Sequence, residues 1–559
     1  MCRKLLVAAL FSLIAPAVVA AGDPVITYQT QPLGRMLNDM RVFVKGVAGD
    51  DGVKSVNKDI ERALGKKGFA GFDIARPILG YVDVPANPEN FVAVVAFPIT
   101  NTADWLDFCE RWNKSKPKEL KDGLYEVPPP DKGFKAVMKI HEGYAYVATG
   151  LKDPAAALNE KAIVAPANLT DGAETSYMSG KLHFDRLPKE LRGQAKAALD
   201  QLKKMHEGRK DENNPERMFE KAVVLEFHKL ANRWLDFSEG AKVATLRVNA
   251  DAFSGEASAE LTITPVEGSA LEKAIAGYKT KENRFASLVT PDAAAAIRIR
   301  LPLDIPEVQA GSVAGLEALQ EAAKNNAFPP VKPVIDEMLK CFIRSAKTGD
   351  VDGAAVLRGP DKDGKFNAVA ALSVDDPSAF EKELKKFVDG IAPEDFKQAL
   401  KWDAEKINGV NVHTIDLSKM PGGDRDIQSI FGKNVTVAFA FAPKAAYVAI
   451  GPGAVAVASI KGAMEAKPGA APLLDFAFNP DRIVKMLTAV DIQAGQFATK
   501  IIGTDNMLRT NLGLELTGGK DLKIKLMMNP RAFLSGFGVR ASSTFEPVEP
   551  PPPPAPEKK

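Results

Sequence analysis

Hydrophobic positions along the chain repeat one succession of patterns twice. Residues 91–98 and 366–373 are nearly continuous apolar runs, which predict strands buried on both faces. Each run is followed by a polar turn and then by apolar residues at i, i+4 and i+7, the spacing of a helix with one buried side. The helical positions are Trp105, Cys109 and Trp112 in the first half, and Phe380, Leu384 and Phe387 in the second.

The repetition continues beyond the helix. KDGLYEV at 121–127 parallels INGVNVH at 407–413, and each Asp-Gly or Asn-Gly pair predicts a hairpin turn. AYVATG at 145–150 and AYVAIG at 446–451 then predict a second buried strand in each half. Each half closes with a further hairpin pattern. The shared order predicts two copies of one folding unit.

We therefore predict an α+β protein of two tandem copies, each an antiparallel-rich sheet with helices packed mainly on one face. The predicted copies span residues 22–290 and 291–540. The first copy carries an additional helical pattern at about 188–235, with a strongly charged outer side. Such a segment is typical of a solvated helical arm.

The two ends of the chain have their own patterns. Residues 1–21 combine Arg3 and Lys4, an apolar run and small residues up to Ala21, which predicts a secretory signal peptide and a periplasmic or extracellular protein. An uncleaved anchor is the alternative. No later segment is apolar for about 18 residues, so we expect no transmembrane segment after signal cleavage. Residues 541–559 are Pro-rich and predict a disordered tail, with a stalk as the alternative.

Composition narrows the class of partner. Lys and Arg total 73 against 71 Asp and Glu, so no net field exists to attract nucleic acid. Signal cleavage would leave Cys109 and Cys341, which allow one disulfide or two free thiols. Cys109 lies on the predicted buried stripe of its helix, so we expect it to fill core space.

Polar pairs recur in both halves at Asp185–Arg186 and Asp481–Arg482. Each pair precedes a predicted helix, so we expect the aspartates to cap that helix and the arginines to form a local ion pair. If a repeated binding site exists, these four residues are its candidates. His183, two positions before Asp185, could share a face with it for base chemistry.

Motifs for metal, cofactor or catalytic chemistry are missing or incomplete. Zinc spacing, a phosphate-binding loop and a nucleophile elbow do not occur in the sequence. GPGAVA at 451–456 fits a dinucleotide fingerprint, but Pro452 and the different first copy favour a plain strand-to-helix turn. We expect no cofactor, no metal and no catalytic residue.

The signal peptide, the duplicated halves and the Pro-rich tail resemble those of uncharacterised bacterial secreted proteins. The resemblance spans the whole chain and implies neither an activity nor a site residue. A two-copy chain is also similar, at the level of fold alone, to tubular lipid carriers.

Three functions are consistent with these features. Duplication, export and missing catalytic spacing favour a non-enzymatic binding or structural protein of the cell envelope, with an envelope protein as its partner. The alternative is a carrier of a lipid or other apolar ligand between two similar lobes. An enzyme of unrecognised type is the third, because catalytic triads assemble from distant residues.

Overall fold

The computed structural model describes most of the chain between Asp23 and Met528. The described residues are 23–82, 84, 90, 92–129, 134–170, 176–207, 232, 235–251, 256–290, 292–303, 305–326, 329–349, 351–420, 425–502 and 512–528. The predicted signal peptide, the predicted tail, residues 208–231 of the predicted helical arm, and Phe91 lie outside them.

The protein is a mixed α/β structure whose strands pair antiparallel. Strands β1–β10 are Ile26–Pro32, Pro77–Val82, Val92–Pro98, Lys118–Glu119, Leu124–Glu126, Lys135–His141, Tyr144–Gly150, Met178–His183, Ala241–Asp251 and Glu256–Pro265. Strands β11–β22 are Lys281–Asn283, Ala293–Leu301, Val351–Arg358, Asn367–Ser373, Leu400–Ile407, Val410–Asp416, Val435–Ala442, Ala445–Pro452, Gly469–Ala471, Leu474–Phe478, Leu512–Thr517 and Leu522–Met528.

Helices lie between these strands, and the two that carry Trp105 and Phe380 are at the positions that the apolar spacing predicts. Helices α1–α7 are Leu33–Leu64, Thr102–Asn113, Pro166–Leu169, Lys189–Glu207, Ala270–Gly277, Pro306–Asn326 and Lys332–Thr348. Helices α8–α13 are Ser378–Ile391, Glu394–Ala399, Arg425–Phe431, Gly453–Met464, Pro480–Val490 and Ile492–Ile502. Within the described part of the chain, none of them combines the length and the apolar character needed to cross a membrane.

The described residues form two compact units that divide between Glu272 and Lys273. We call them the first and the second unit. The boundary expected from the sequence repeats, between residues 290 and 291, falls after this division.

Strand order is the same in both units. Hydrogen-bonded neighbours in the first unit follow the order β4-β5-β6-β7-β3-β2-β1-β8-β9-β10. In the second unit the order is β15-β16-β17-β18-β14-β13-β12-β20-β21-β22. Strands β11 and β19 pair separately from this series. Each unit therefore builds its sheet from ten described strands in one connectivity.

Cross-strand register is shared as well as order. Ala96 of β3 lies opposite Tyr146 of β7, and Ala371 of β14 lies opposite Tyr447 of β18. These are the pairs that result when the apolar runs and the two AYVA segments are aligned without a gap. Because a slip of one residue would reverse every side chain in a strand, the common register puts equivalent residues of the two units on the same face of the sheet.

The first helix after the central strand shows how its sequence selects its packing. The Asn101 side chain accepts a hydrogen bond from the Asp104 N–H group at 2.9 Å and so caps α2. Trp105, Phe108 and Cys109 are buried against the sheet, which confirms the core position expected for Cys109. Both Cys109 and Cys341 are free thiols.

Candidate functional site

The Asp-Arg pair of the first unit lies at the end of β8. Asp185 is inside a short 3-10 turn, Phe184–Arg186, and its carboxylate caps no helix there. The expected capping role is therefore wrong for this residue. Arg186 instead reaches the start of the unit, where it donates to the Pro24 carbonyl at 2.7 Å and lies 3.6 Å from the Asp23 carboxylate.

The second unit places its pair at the matching point, after β20. Asp481 lies in the first turn of α12, and the cap of that helix is Asn479, whose side chain accepts from the Arg482 N–H group at 3.1 Å. The capping role expected for Asp481 is wrong too, because the residue two positions earlier performs it. Thr290, and further the charges of Arg482 and Arg358, hold the pKa of Asp292 below its ordinary value.

Both arginines therefore act on the aspartate that precedes the neighbouring strand. Asp23 precedes β1 as Asp292 precedes β12. Arg186 lies 3.6 Å from the Asp23 carboxylate, and the charge of Arg482 helps to lower the pKa of Asp292. In the first unit this arrangement ties two strand ends together and gives Arg186 a structural role.

His183 does not form a catalytic pair with Asp185. Its Nδ1 atom lies 4.0 Å from the nearer Asp185 oxygen, which is too long for a hydrogen bond. Burial lowers the pKa of His183, and the charge of Arg186 adds to this effect.

A different histidine is the centre of the most concentrated polar group that the described residues contain. His413 of β16 is fully buried, and its Nδ1 atom accepts a hydrogen bond from the Asp403 N–H group at 3.0 Å. Its Nε2 atom lies 3.2 Å from Glu381 Oε1. Lys385 connects the carboxylates, with Nζ 2.8 Å from Glu381 Oε1 and 3.4 Å from Asp403 Oδ1. We call Glu381, Lys385, Asp403 and His413 the histidine cluster.

The elements around the cluster determine this geometry. Glu381 and Lys385 are one helical turn apart on α8, so both point to the same side. Asp403 lies in a bulge of β15, where the pairing with β16 is interrupted between Lys401 and Glu405. The bulge holds Asp403 at a φ of +50°, in the left-handed region, and this directs its N–H group at His413.

Aromatic side chains enclose the imidazole on its remaining sides. The ring centroids of Trp402 and Phe439 are each 5.0 Å from that of His413, and Phe441 follows at 6.3 Å. Lys385 Nζ lies 5.3 Å from the centroid of the Trp402 ring, a cation–π arrangement. The imidazole therefore has apolar faces and polar edges.

The donor set of the cluster fits a metal ion poorly. One atom from each of Glu381, Asp403 and His413 lies within 4.8 Å of the others, which is close enough for a shared ion. However, the Lys385 ammonium already contacts both carboxylates, and it would repel a cation placed between them. Nδ1 of His413 accepts a backbone N–H group, so its lone pair is not available for coordination.

Direct catalysis by His413 is also disfavoured. The imidazole has no exposed surface, so a substrate in solution cannot reach it. What the arrangement can do is exchange a proton in a place where two carboxylates and an ammonium respond to the change. Burial lowers the pKa of His413, Lys385 lowers it further, and the charges of Glu381 and Asp403 oppose the shift.

The sequence gives little sign of this cluster. Its members are spread over 381–413 on three elements, with no motif spacing. In the sequence alignment His413 parallels Val127, an apolar residue. The one signal in the sequence is positional: Glu381 and Lys385 are charged residues beside the predicted buried stripe of a helix.

A second notable surface is an exposed apolar row on the sheet of the second unit. Cross-strand pairing places its members side by side on one face of β18, β14, β13, β12 and β20. Val448 is 47% exposed, and Ile297 and Phe476 are each 37% exposed. The row is Val448, Ala370, Ala355, Ile297 and Phe476, and we call it the apolar row. It lies in a shallow groove of about 270 Å³ lined by apolar residues.

The corresponding row in the first unit is covered. Val95 is only 6% exposed, and it packs in one cluster with Leu64, Ile60 and Ala63 from the second half of α1. The neighbouring position in the row is Gly80, where a Cβ atom would lie 2.1 Å from the ring of Tyr28. The first unit thus covers with its own helix and tyrosine a surface that the second unit leaves open.

No known protein family, curated protein or solved structure matches this chain.

Proposed function

We propose that the protein is a non-enzymatic, exported binding protein of the cell envelope, and that the apolar row of its second unit is the surface at which it binds. The observation that carries the proposal is the exposure of Val448, Ile297 and Phe476 on a sheet whose opposite face is buried. Contiguous apolar surface of this kind marks interaction sites in soluble proteins.

The occupant that fits this surface best is an amphipathic helix of a partner protein. In the first unit the corresponding face is packed by α1, which contributes Ile60, Ala63 and Leu64 at helical spacing. A partner helix with the same spacing would cover the apolar row in the same way. The small side chains of Ala355 and Ala370 allow a helix to approach closely.

Tandem duplication is part of the proposal. The identical strand order, the shared register and the recurrence of Asp23–Arg186 at Asp292–Arg482 support one ancestral unit that was copied. The expectation that helices pack mainly on one face stays a prediction, because apolar clusters occur on both faces of the first sheet.

Export rests on the pattern of residues 1–21. The expected result is a mature N-terminus directly after Ala20 or Ala21 when the protein is isolated from the envelope fraction and its terminal peptide is sequenced. A terminal peptide that begins at Met1 would contradict export by this route.

Photo-cross-linking tests the binding surface. A photoreactive phenylalanine analogue replaces Phe476 in cells, and the control carries it at Leu319 of α6, which is 55% exposed but outside the apolar row. We expect a cross-link from position 476 alone, to a partner segment with helical apolar spacing. The substitution Val448→Asp should abolish it, and a synthetic peptide of the cross-linked segment should compete with it.

Two outcomes would change the conclusion. Equal cross-linking from positions 476 and 319 would show that the apolar row is not a specific surface. A cross-link to lipid, with lipid present in the purified protein by native mass spectrometry, would support the apolar-ligand carrier instead.

A further inference from the structure

The bulge at Asp403 depends on a hydrogen bond that only a neutral histidine can accept. Asp403 has a φ of +50°, which costs about 1 kcal/mol or more for a residue with a side chain. Its N–H group donates to His413 Nδ1 at 3.0 Å in a part-buried contact, in which the imidazole itself is fully buried. The lone pair of one ring nitrogen therefore helps to hold the strained backbone in place.

The tautomer of His413 follows from this contact. Since Nδ1 accepts, the single proton of the neutral ring is on Nε2, the atom 3.2 Å from Glu381 Oε1. The Nδ1 edge of the ring thus faces a donor, and the Nε2 edge lies near a carboxylate without a hydrogen bond of normal geometry to it.

Protonation would change the hydrogen bonding only at the Nδ1 edge of the ring. The added proton is on Nδ1 and points at the Asp403 N–H group, so two donors would face each other. The Asp403 carboxylate offers an alternative acceptor, because its Oδ1 atom lies 3.5 Å from Nδ1. The Nδ1–H group of the imidazolium can donate to this carboxylate only if the backbone N–H group moves away.

The charges around the ring make the protonated state attainable. From α8 the ring faces Glu381 and Lys385, from β15 it faces Asp403, and β17 contributes only aromatic rings. These charges sum to minus one around a neutral His413 and to zero around a protonated one. Burial of the imidazole lowers its pKa and the charge of Lys385 lowers it further, while the two carboxylates act against these effects, so the pKa of His413 lies below its ordinary value.

We propose that the histidine cluster is an acid-operated switch: neutral His413 holds the Asp403 bulge of β15 in its left-handed conformation, and protonated His413 releases it. The moving element is the strand segment 401–405, where pairing with β16 is already interrupted. Histidine is the side chain that titrates in the range an exported protein meets as its surroundings acidify.

The switch lies next to the proposed binding surface. His413 is the cross-strand neighbour of Phe439, and Phe439 is the cross-strand neighbour of Val448, the first member of the apolar row. A changed position of His413 therefore alters the packing of the ring beside that row. Regulation of binding in this way rests on the proposed function, whereas the switch itself does not.

Amide hydrogen exchange measured between pH 8 and pH 4.5 tests the switch directly. We expect the protection factor of the Asp403 amide, corrected for the intrinsic pH dependence of exchange, to fall about tenfold as His413 gains its proton. Trp402 fluorescence should change over the same pH interval, because its ring lies 5.0 Å from the imidazole. The Trp402→Phe variant should lose this change, which would assign the signal to Trp402.

His413→Asn is the decisive variant, because its amide oxygen can accept the Asp403 N–H group and does not titrate. This variant should keep the protection of Asp403 at every pH and lose the fluorescence step. His183→Gln is the matched control and should retain both transitions. A step of unchanged size in His413→Asn, or constant Asp403 protection across the pH interval in which NMR shows the His413 imidazole gaining its proton, would overturn the proposal.

Cross-linking from position 476 at both ends of the pH range separates the two proposals. Cross-linking that is absent at every pH, with an intact His413 transition, contradicts the binding surface and leaves the switch standing. Cross-linking that is independent of pH, again with an intact transition, contradicts only the link between them.

Discussion

The sheet of each unit meets the helix after its central strand, and the two interfaces differ in chemistry. In the first unit Trp105 stacks on Phe108 at 5.2 Å, and its indole N–H group lies 3.1 Å from Met138 Sδ. In the second unit the same strands and helix enclose His413, with Glu381 beside it. One interface is aromatic and apolar, and the other contains a charged network.

The comparison indicates that the network is not needed to build the sheet. Both interfaces lie between the same connections of the same strand order, and the first has the half-buried Tyr125 at the position that His413 occupies in the second. A buried ionisable group usually costs stability unless it is well paired. The histidine cluster is therefore better explained by a role in response to protons than by a role in folding.

Removal of the central indole should have the largest effect. Trp105→Ala should lower the free energy of unfolding by about 3–5 kcal/mol, because it deletes a buried ring that contacts three others. Phe380→Ala is the matched change in the second unit. Phe380 is half-buried and has one aromatic contact, to Phe441 at 5.4 Å, so its loss should cost about 2 kcal/mol.

Urea denaturation followed by far-UV circular dichroism measures both changes, with hydrogen exchange to locate the weakened unit. Trp105→Phe covers the case in which the alanine variant does not fold. Equal losses for Trp105→Ala and Phe380→Ala would contradict the distinction between an aromatic and a polar interface.

Gly80 tests the covered row of the first unit. A Cβ atom there would lie 2.1 Å from the Tyr28 ring, so Gly80→Ala should cost about 1–3 kcal/mol as the tyrosine is displaced. The matched position in the second unit is Ala355, opposite Ile297, where Ala355→Gly should cost less than about 1 kcal/mol. Thermal unfolding of both variants is the measurement. An unchanged melting temperature of Gly80→Ala would show that Tyr28 can move from its position over the sheet without loss of stability.

Much of the fold could be predicted because its signals are local. The apolar runs, the helical stripe with Trp105 and Cys109, and the two AYVA segments are each read from neighbouring residues, and the AYVA segments form the strands β7 and β18 as predicted. The register of the strands next to the turns was harder to predict. The sequence parallel sets Val127 against His413, whereas the sheet places Tyr125 at that position, opposite Met138 as His413 is opposite Phe439.

The turns that precede these strands also differ in length. In the second unit Asn408 and Gly409 alone connect β15 to β16, since Ile407 pairs with Val410. In the first unit the Leu120 N–H group bonds to the Leu124 carbonyl at 2.8 Å, so the Asp-Gly pair belongs to a longer loop. The same dipeptide signal thus occurs in two different turns.

The candidate site could not be predicted because its members converge only through the sheet. Glu381 and His413 are 32 positions apart, and only the packing of α8 on β16 and β17 brings them together. The Asp-Arg pairs were predicted from their recurrence alone. Their recurrence identified residues with a structural role, because the fold is what the two units have in common.

That structural role gives the next prediction. Arg186→Gln removes a hydrogen bond to the Pro24 carbonyl and an ion pair with the exposed Asp23, so the first unit should lose about 1 kcal/mol. Arg482→Gln should produce a loss of similar size in the second unit. Chemical denaturation of the two variants compares them directly, and a loss confined to Arg186→Gln would weaken the equivalence of the two pairs.

The smallest expected effect concerns the backbone of Asp403, which has no strained counterpart in β4. Asp403→Gly relieves the left-handed φ and forfeits the 3.4 Å contact with Lys385, so its net change should be within about 0.5 kcal/mol. Asp403→Ala forfeits the same contact without that relief, and it should be less stable than the glycine variant by about 1 kcal/mol. Denaturation at pH 8, where His413 is neutral, isolates the backbone effect.

The pH dependence of these variants tests whether the Asp403 carboxylate is the partner of protonated His413. Because folding lowers the pKa of His413, its neutral form contributes stability that is complete above the unfolded value of about 6.5 and is lost as the pH falls through the folded value. Asp403→Gly keeps the N–H group but removes the carboxylate to which the imidazolium would donate a hydrogen bond, so acid should destabilise it more than the native protein. An unchanged pH profile would mean that protonated His413 does not donate a hydrogen bond to the Asp403 carboxylate.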